Sequence, residues 1–326
     1  MLQLSPAPHI SSSKSTERIM YGVVLALVPA LVGSVYFFGW RALFLTALSV
    51  LSALITEWIF QRATHREIRC FDGSAIITGI LLAFNIPVNS PWWIPVAGSF
   101  FAIFVVKQVF GGLGYNIFNP ALAGRAFLVA SWPSLMTGNW TPPIGGTLSG
   151  LSNLDGITQA TPLTLLSLNP QASVIHALNS GTMLKALFVG NTGGCLGETS
   201  ALLLLIGALF LFAMRYADWR ISVSYIGSVF AFSGILYLLG INTVNPIFHI
   251  LSGGVMLGGL FMATDMVTSP VTLKGRWIFG IAGGFLCVLF RTWGGYPEGV
   301  SYSILIMNMF VPLLDRLQPR VYGRSK

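Results

Sequence analysis

Long apolar runs separated by short polar segments dominate the chain from residue 19 to residue 314. A helix needs about 20 apolar residues to cross the hydrocarbon core of a bilayer. The pattern therefore predicts about ten membrane-spanning helices, some of them short, and short spans often surround a binding site at mid-membrane depth. The predicted spans are 19–38, 42–60, 74–86, 92–110, 119–132, 200–214, 221–239, 246–264, 277–291 and 300–314.

The composition agrees with lipid as the solvent of this chain. Hydrophobic residues make up 54% of it and charged residues only 9%, whereas a soluble domain carries about 25% charged residues. We therefore predict an all-α integral membrane protein. Cys70, Cys195 and Cys287 lie far apart, and no CxxC or Cys/His metal spacing occurs, so we expect no iron–sulfur or zinc site within the chain.

One long polar loop divides the ten predicted spans into two groups of five. We assign an N-terminal segment 1–18, a first five-helix half 19–132, a loop with a re-entrant stretch 133–199, a second five-helix half 200–314 and a basic tail 315–326. Because five is odd, the second half begins on the opposite side of the membrane from the first. Two halves that share a fold would then form an inverted repeat.

The basic residues favour one orientation. With the N-terminus inside, 14 of the 18 Lys and Arg residues fall in inner segments, Lys107 among them, and 3 fall in outer segments. The positive-inside rule then predicts cytoplasmic N- and C-termini and an extracytoplasmic loop after the fifth span. The same distribution accounts for the net charge of +8, so the charge does not indicate a nucleic-acid partner.

Four polar clusters interrupt the apolar pattern, and polar groups in lipid are costly. Residues 111–125 are glycine-rich and contain Asn116 and Asn119; they either line a cofactor site or form a tight turn that caps the next span. Residues 190–200 favour a re-entrant segment that faces a cavity. Glu198 in that segment is either an ion ligand or a carboxylate at a helix start.

The other two clusters are 264–276 and 155–164. In the first, Asp265 precedes Lys274 and Arg276, which either bind a phosphate or anionic lipid or only set topology. In the second, Thr161 precedes Pro162, and a residue before proline is restricted to an extended conformation. This predicts either an exposed, restrained hydroxyl that a modifying enzyme can reach or an ordinary Ser/Thr turn.

Together these clusters resemble one family. The runs GGLGYNIFNPA (111–121), DGITQATPL (155–163) and TDMVTSP (264–270), in this order, are similar to the RnfD component of the Rnf electron-transport complex, which is related to the NqrB component of the sodium-translocating NADH:quinone reductase. The likeness extends over nearly the whole chain. It implies a bacterial inner-membrane protein.

The resemblance implies a covalent flavin. In that family a threonine of an [ST]-x-A-T segment carries FMN through a phosphoester bond, which a flavin transferase installs. Here the segment implies Thr161 as the attachment residue, with Asp155, Thr158 and Gln159 beside it. Gln159 stands where the quinone-reductase branch has glycine, and this favours the Rnf branch.

The family also implies a second, non-covalent flavin such as riboflavin inside the membrane. We expect it near Asn116 and Asn119 and near the segment that contains Thr199 and Ser200.

The implied function is that of one component of a redox-driven ion translocase of ferredoxin:NAD oxidoreductase type, inactive alone. Electrons would pass from an extracytoplasmic flavoprotein of the complex through the flavin on Thr161 across the membrane, coupled to sodium or proton movement, with further membrane proteins of the complex as partners. Glu198 and Asp265 are the candidates for handling the ion. Two alternatives stay open: a channel for small polar solutes with urea-transporter-like architecture, and a cofactor-free structural anchor for redox partners.

Overall fold

The computed structural model describes residues 15–138, 140, 143, 161–168, 172–190, 192–294 and 298–317. All regular secondary structure in these ranges is helical, apart from one isolated β-bridge. The first half contains α1 (Thr16–Phe38), α2 (Trp40–Ala63), α3 (Ser74–Phe84), α4 (Trp93–Phe101) with its π-helical continuation π1 (Ala102–Gln108), and α5 (Pro120–Ser131).

Four short helices follow, and then the second half. The short helices are α6 (Pro133–Thr137), α7 (Pro162–Leu168), α8 (Ala172–Leu178) and α9 (Gly181–Val189). The second half contains α10 (Ala201–Ala213), α11 (Trp219–Leu238), α12 (Pro246–Leu251), α13 (Val255–Leu257), the π-helix π2 (Gly258–Met262), α14 (Leu273–Trp293) and α15 (Val300–Leu314).

Four helices in the described ranges, α1, α2, α11 and α14, are long and apolar enough to cross a membrane. Five further apolar segments are 10 to 17 residues long: α3, α4 with π1, α5, α10 and α15. The chain is therefore an all-helical, multi-pass membrane protein. The number of ten spans also counts the interrupted segment 246–264 as one span, and it stays a prediction.

Helix packing joins the two halves. α1 packs against α10 and α5 against α15, while α2 packs on α3 and α4 much as α11 packs on α12 and α14. One buried apolar cluster draws on both halves, with Leu27 of α1, Leu82 of α3 and Leu204 of α10 among its members. A site between these helices is consequently formed by both halves together.

Helix α3 is too short to cross the bilayer, since its 11 residues rise only about 16 Å. Its end is completed by the segment between α9 and α10. The backbone N–H of Leu196 donates to the carbonyl of Ile86 at 3.2 Å, and that of Gly197 donates to the carbonyl of Phe84 at 3.0 Å. These bonds satisfy backbone groups that lipid cannot satisfy, so residues 192–200 form the re-entrant stretch that the sequence predicted.

Close approach requires glycine at this contact. A Cβ added to Gly197 would lie 2.3 Å from the Cβ of Phe84, which is far inside van der Waals contact. The second half has its own interruption, between α12 and α13, where Gly253 adopts a φ of 63°. Both halves therefore place irregular backbone inside the bundle, and such backbone usually lines a cavity or a site.

Candidate functional site

A cavity of about 750 Å³, here called the amide pocket, lies at the end of the bundle where α1 begins. Asn116 and Asn119 line it. Asn119 caps α5, because its Oδ1 accepts from the N–H of Ala121 at 3.0 Å, and its Nδ2 donates to the carbonyl of Met262 at 3.2 Å. Asn116 donates to the carbonyl of Phe118 at 3.1 Å, but its buried Oδ1 has no partner within the described ranges.

The remaining wall of the amide pocket is mixed in character. Apolar residues such as Leu113 and Phe261 provide most of it, and Ser74, Lys107 and Asp265 add polar groups. The Asp265 carboxylate is engaged locally, since it accepts from the hydroxyl of Thr268 at 3.1 Å. A largely apolar cavity of this size with a few convergent polar groups is typical of a site for a small organic molecule.

A buried ion pair borders the amide pocket. The Lys107 ammonium lies 2.7 Å and 2.9 Å from the two carboxylate oxygens of Glu57, and each residue is 1% exposed. Gln108 also donates to Glu57, at 2.7 Å. Lys107 and Gln108 end the π-helix π1, a rare geometry that is frequent at functional sites.

Hydrogen bonds extend from this ion pair toward the surface. Lys107 donates to the hydroxyl of Ser74 at 2.6 Å, and that hydroxyl donates to the Asp72 carboxylate at 2.5 Å. Glu57, Asp72 and Gln108 line a second and larger cavity, here called the cleft, of about 2540 Å³. Exposed charged side chains such as Arg69 also line the cleft, so it opens to the aqueous phase.

A second charged group, here called the arginine cluster, lies further along α5. Arg125 donates to Asn85 Oδ1 at 2.5 Å and to Glu198 at 3.0 Å, and it also pairs with Glu298. Six residues of helix separate Arg125 from Asn119, a rise of about 9 Å. One guanidinium faces two carboxylates, so the cluster carries a net charge of −1 when all three groups are ionised.

Thr161 lies beside the arginine cluster. With Glu198 and Glu298 it lines a small cavity of about 340 Å³. Its Oγ1 accepts from the backbone N–H of Thr164 at 3.1 Å and contacts the Thr164 hydroxyl, and Pro162 opens α7 directly after it. The restrained hydroxyl is as expected, but its exposure is not, since Thr161 is only 7% exposed. Capping of α7 turns the hydroxyl toward the helix rather than outward.

Comparison with known proteins identifies the family in which this geometry occurs. The sequence profile of the NQR2, RnfD, RnfE family matches residues 3–323. The chain belongs to the NQR2, RnfD, RnfE family. The resemblance found in the sequence motifs is therefore confirmed.

Several relatives of this NQR2, RnfD, RnfE family member have names. A protein of Acetobacterium woodii is 47% identical over 326 residues, covering 100% of this chain and 96% of the relative, and is named as the D component of a Na⁺-translocating ferredoxin:NAD⁺ oxidoreductase complex. A protein of Clostridium ljungdahlii is 43% identical, covering 99% and 96%, and is named as the D component of a proton-translocating complex of the same kind. An Escherichia fergusonii protein is 37% identical, covering 100% and 99%, and is named as the D component of an ion-translocating oxidoreductase complex.

The structure of this NQR2, RnfD, RnfE family member separates residues that the sequence analysis grouped. Asn116, Asn119 and Asp265 line the amide pocket. Glu198, Thr199 and Ser200 do not belong to its described wall; Glu198 joins the arginine cluster, and the Ser200 hydroxyl caps α10 by accepting from the N–H of Leu203 at 3.4 Å. Asp155, Thr158 and Gln159 lie outside the described residues.

The ion pair of Glu57 and Lys107 was missed in the sequence analysis. Lys107 was counted among the basic residues that set topology, and this assignment was wrong, because the structure buries it against Glu57. A sufficient signal was present: Glu57 is the only acidic residue inside the predicted span 42–60, and an ionisable residue within a span marks a functional site by default. Glu298 was also missed, since it lies between two spans.

Proposed function

We propose that the chain is a membrane flavoprotein component of an ion-translocating electron-transport complex of ferredoxin:NAD oxidoreductase type, with FMN joined to Thr161 through a phosphoester bond. Its partners are the other proteins of that complex, including an extracytoplasmic flavoprotein, and a flavin transferase. The names of the relatives support the kind of complex. The complex is the enzyme, and this chain is inactive alone.

The observation that carries the proposal is the presence of two distinct sites along one helix of an apolar bundle. Thr161 and the arginine cluster lie near the end of α5, and the amide pocket lies at its start. A redox group at each site would divide the membrane crossing into shorter electron-transfer steps. A flavin supplies reversible electron transfer when bound; the residues supply its attachment and surroundings.

The residues of the amide pocket fit a second flavin such as riboflavin. The unpartnered Oδ1 of Asn116 offers a buried acceptor to a ring N–H, since buried polar groups require partners. The apolar wall suits a flat aromatic ring. Thr199 and Ser200 lie outside this pocket, so we assign the second flavin to Asn116 and Asn119 alone.

Ion handling is assigned to Glu198 and Asp265. Glu198 is buried and shares Arg125 with Glu298, so the arginine cluster attracts a cation. Asp265 lies on the wall of the amide pocket. Sodium and protons both remain candidates for the coupled ion, since the two named relatives differ in theirs.

The proposed topology follows the positive-inside rule, with cytoplasmic termini and Thr161 on the extracytoplasmic side of a bacterial inner membrane. We also propose ten spans in two inverted halves. The matching contacts of α2 and α11, and the packing of α1 on α10 and α5 on α15, support this arrangement. The alternatives of a solute channel and a cofactor-free anchor have no observation in their favour.

Intact mass and in-gel flavin fluorescence test the covalent flavin. The chain, expressed with its flavin transferase, should gain the mass of one FMN less one water and should fluoresce, whereas Thr161→Ala should do neither. Thr164→Ala is the matched control, because it removes the neighbouring hydroxyl that contacts Thr161 and should retain the flavin. A covalent flavin on the Thr161→Ala chain would refute the attachment site, and an unmodified wild-type chain would refute the flavoprotein function.

A further inference from the structure

The amide pocket and the cleft are neighbours separated by a thin wall. Met20, Leu113, Met266 and Val267 line both cavities. These four side chains are unable to carry a proton. A polar path between the aqueous cleft and the buried pocket must therefore pass around them.

The hydrogen-bonded chain that contains Asp72, Ser74 and Lys107 provides such a path. Asp72 lines the cleft, and Ser74 and Lys107 line the amide pocket. The two links between them measure 2.5 Å and 2.6 Å, and proton transfer requires heavy-atom distances of about 2.6–3.2 Å or shorter. The path thus begins at the cleft and ends at an ammonium group on the wall of the pocket.

The charges around this path are unbalanced. Lys107 on π1 is faced by Glu57 from α2, by Asp72 and the Cys70 thiol from the segment before α3, and by Asp265 from the segment after π2. It is the only cation among these groups in the described ranges. An electron that arrived in the amide pocket would add negative charge to surroundings of low dielectric constant, where an uncompensated charge is costly.

We propose that Asp72, Ser74 and Lys107 form a proton path from the cleft to a reducible ring in the amide pocket, with Glu57 holding Lys107 in place. This inference rests on the proposed second flavin. The ring receives one electron from the covalent flavin, and one N–H bond of Lys107 breaks as an N–H bond forms on the ring. Lys107 recovers a proton from the Ser74 hydroxyl, Ser74 from Asp72, and Asp72 from water in the cleft. The balance is one electron and one proton for each ring reduced by one electron.

The test uses the intact complex with a pH-indicator dye in weak buffer and follows proton uptake after rapid reduction. Ser74→Ala removes the central hydroxyl and leaves the ion pair of Glu57 and Lys107. It should slow the proton-uptake phase at least tenfold, because a positioned proton donor contributes about 10²–10⁴-fold to a transfer rate. Ser74→Thr restores the hydroxyl and should recover the rate.

Ser49→Ala is the matched control. Ser49 is a buried serine that donates to the carbonyl of Gly79 at 2.7 Å and lies outside the path, so this variant should take up protons at the wild-type rate. Should Ser74→Ala fail to assemble, Asp72→Asn breaks the path at the cleft and should give the same slowing.

Flavin released by acid precipitation separates failure of the path from failure of the proposed function. Non-covalent flavin in every variant, with slow proton uptake only in Ser74→Ala and Asp72→Asn, supports the path. The same flavin content with wild-type uptake in both variants overturns the path and leaves the proposed function intact. A wild-type complex that releases no flavin overturns the second flavin and the path together.

Discussion

The ion pair of Glu57 and Lys107 should behave as a strongly coupled unit in stability measurements. Lys107→Met removes the cation and leaves the Glu57 carboxylate buried with only amide donors from Gln108 and Gln61. Glu57→Gln leaves the ammonium in the same position. The double variant removes both charges from a site in which each residue is 1% exposed.

The magnitude follows from burial. Removal of one partner of a buried ion pair costs about 3–5 kcal/mol, whereas replacement of both partners is often close to neutral. At roughly 2 °C per kcal/mol for a chain of this length, each single variant should lose about 6–10 °C in Tm. The double variant should lie within a few degrees of the wild type.

Size-exclusion chromatography of the heated, detergent-solubilised protein measures these shifts. Lys274→Met is the control, because Lys274 is exposed in the first turn of α14 and substitutions at such positions usually change stability by less than about 0.5 kcal/mol. Additive losses, with the double variant as unstable as the sum of the two single variants, would refute the coupling. The burial argument for the pair would then be wrong.

Three further predictions concern other parts of the bundle. Gly254→Ala places a Cβ 2.6 Å from Glu198 Oε1 and should cost about 1–3 kcal/mol by overpacking, whereas a Cβ at Gly227 meets nothing within 4 Å and Gly227→Ala should be tolerated; equal Tm values for the two variants would contradict the close approach. Asn116→Leu should release the non-covalent flavin and retain the covalent one, as measured by acid extraction; unchanged extraction would remove Asn116 from that site. Partial burial acts to raise the pKa of Asp218, but the N–H of Arg220 and the guanidinium groups of Arg276 and Arg220 outweigh it and hold this pKa below its ordinary value. Asp218 therefore contributes stability that is fully present above the unfolded pKa of about 3.9 and is lost as the pH falls through its lower folded pKa, so the Tm difference between wild type and Asp218→Asn should shrink below pH ~4, and a constant difference would count against the ion pair.

The sequence was sufficient for the helical class and for the unusual places in the chain. Apolar runs predicted the long helices α1, α2, α11 and α14 because hydropathy is a local property of the chain. The glycine pattern of residues 190–200 predicted a re-entrant segment, which the hydrogen bonds of Leu196 and Gly197 confirm.

The partners of polar groups were beyond local reasoning. Lys107 reads as a topology charge until α2 and π1 are packed together, and Glu198 reads as a helix-start carboxylate until Arg125 is placed beside it. Sequence analysis also joined Asn116 with Ser200, which lie at different sites. These errors share a cause: three-dimensional proximity of groups far apart in the chain leaves no periodic pattern along it.

The completion of α3 by the segment between α9 and α10 has a consequence for biogenesis. During synthesis the carbonyls of Phe84 and Ile86 lack these donors until Leu196 and Gly197 leave the ribosome. The amino-terminal portion therefore waits, incompletely assembled, in or beside the insertion machinery. Two separately translated fragments would have to find each other in the bilayer before either could reach its final form.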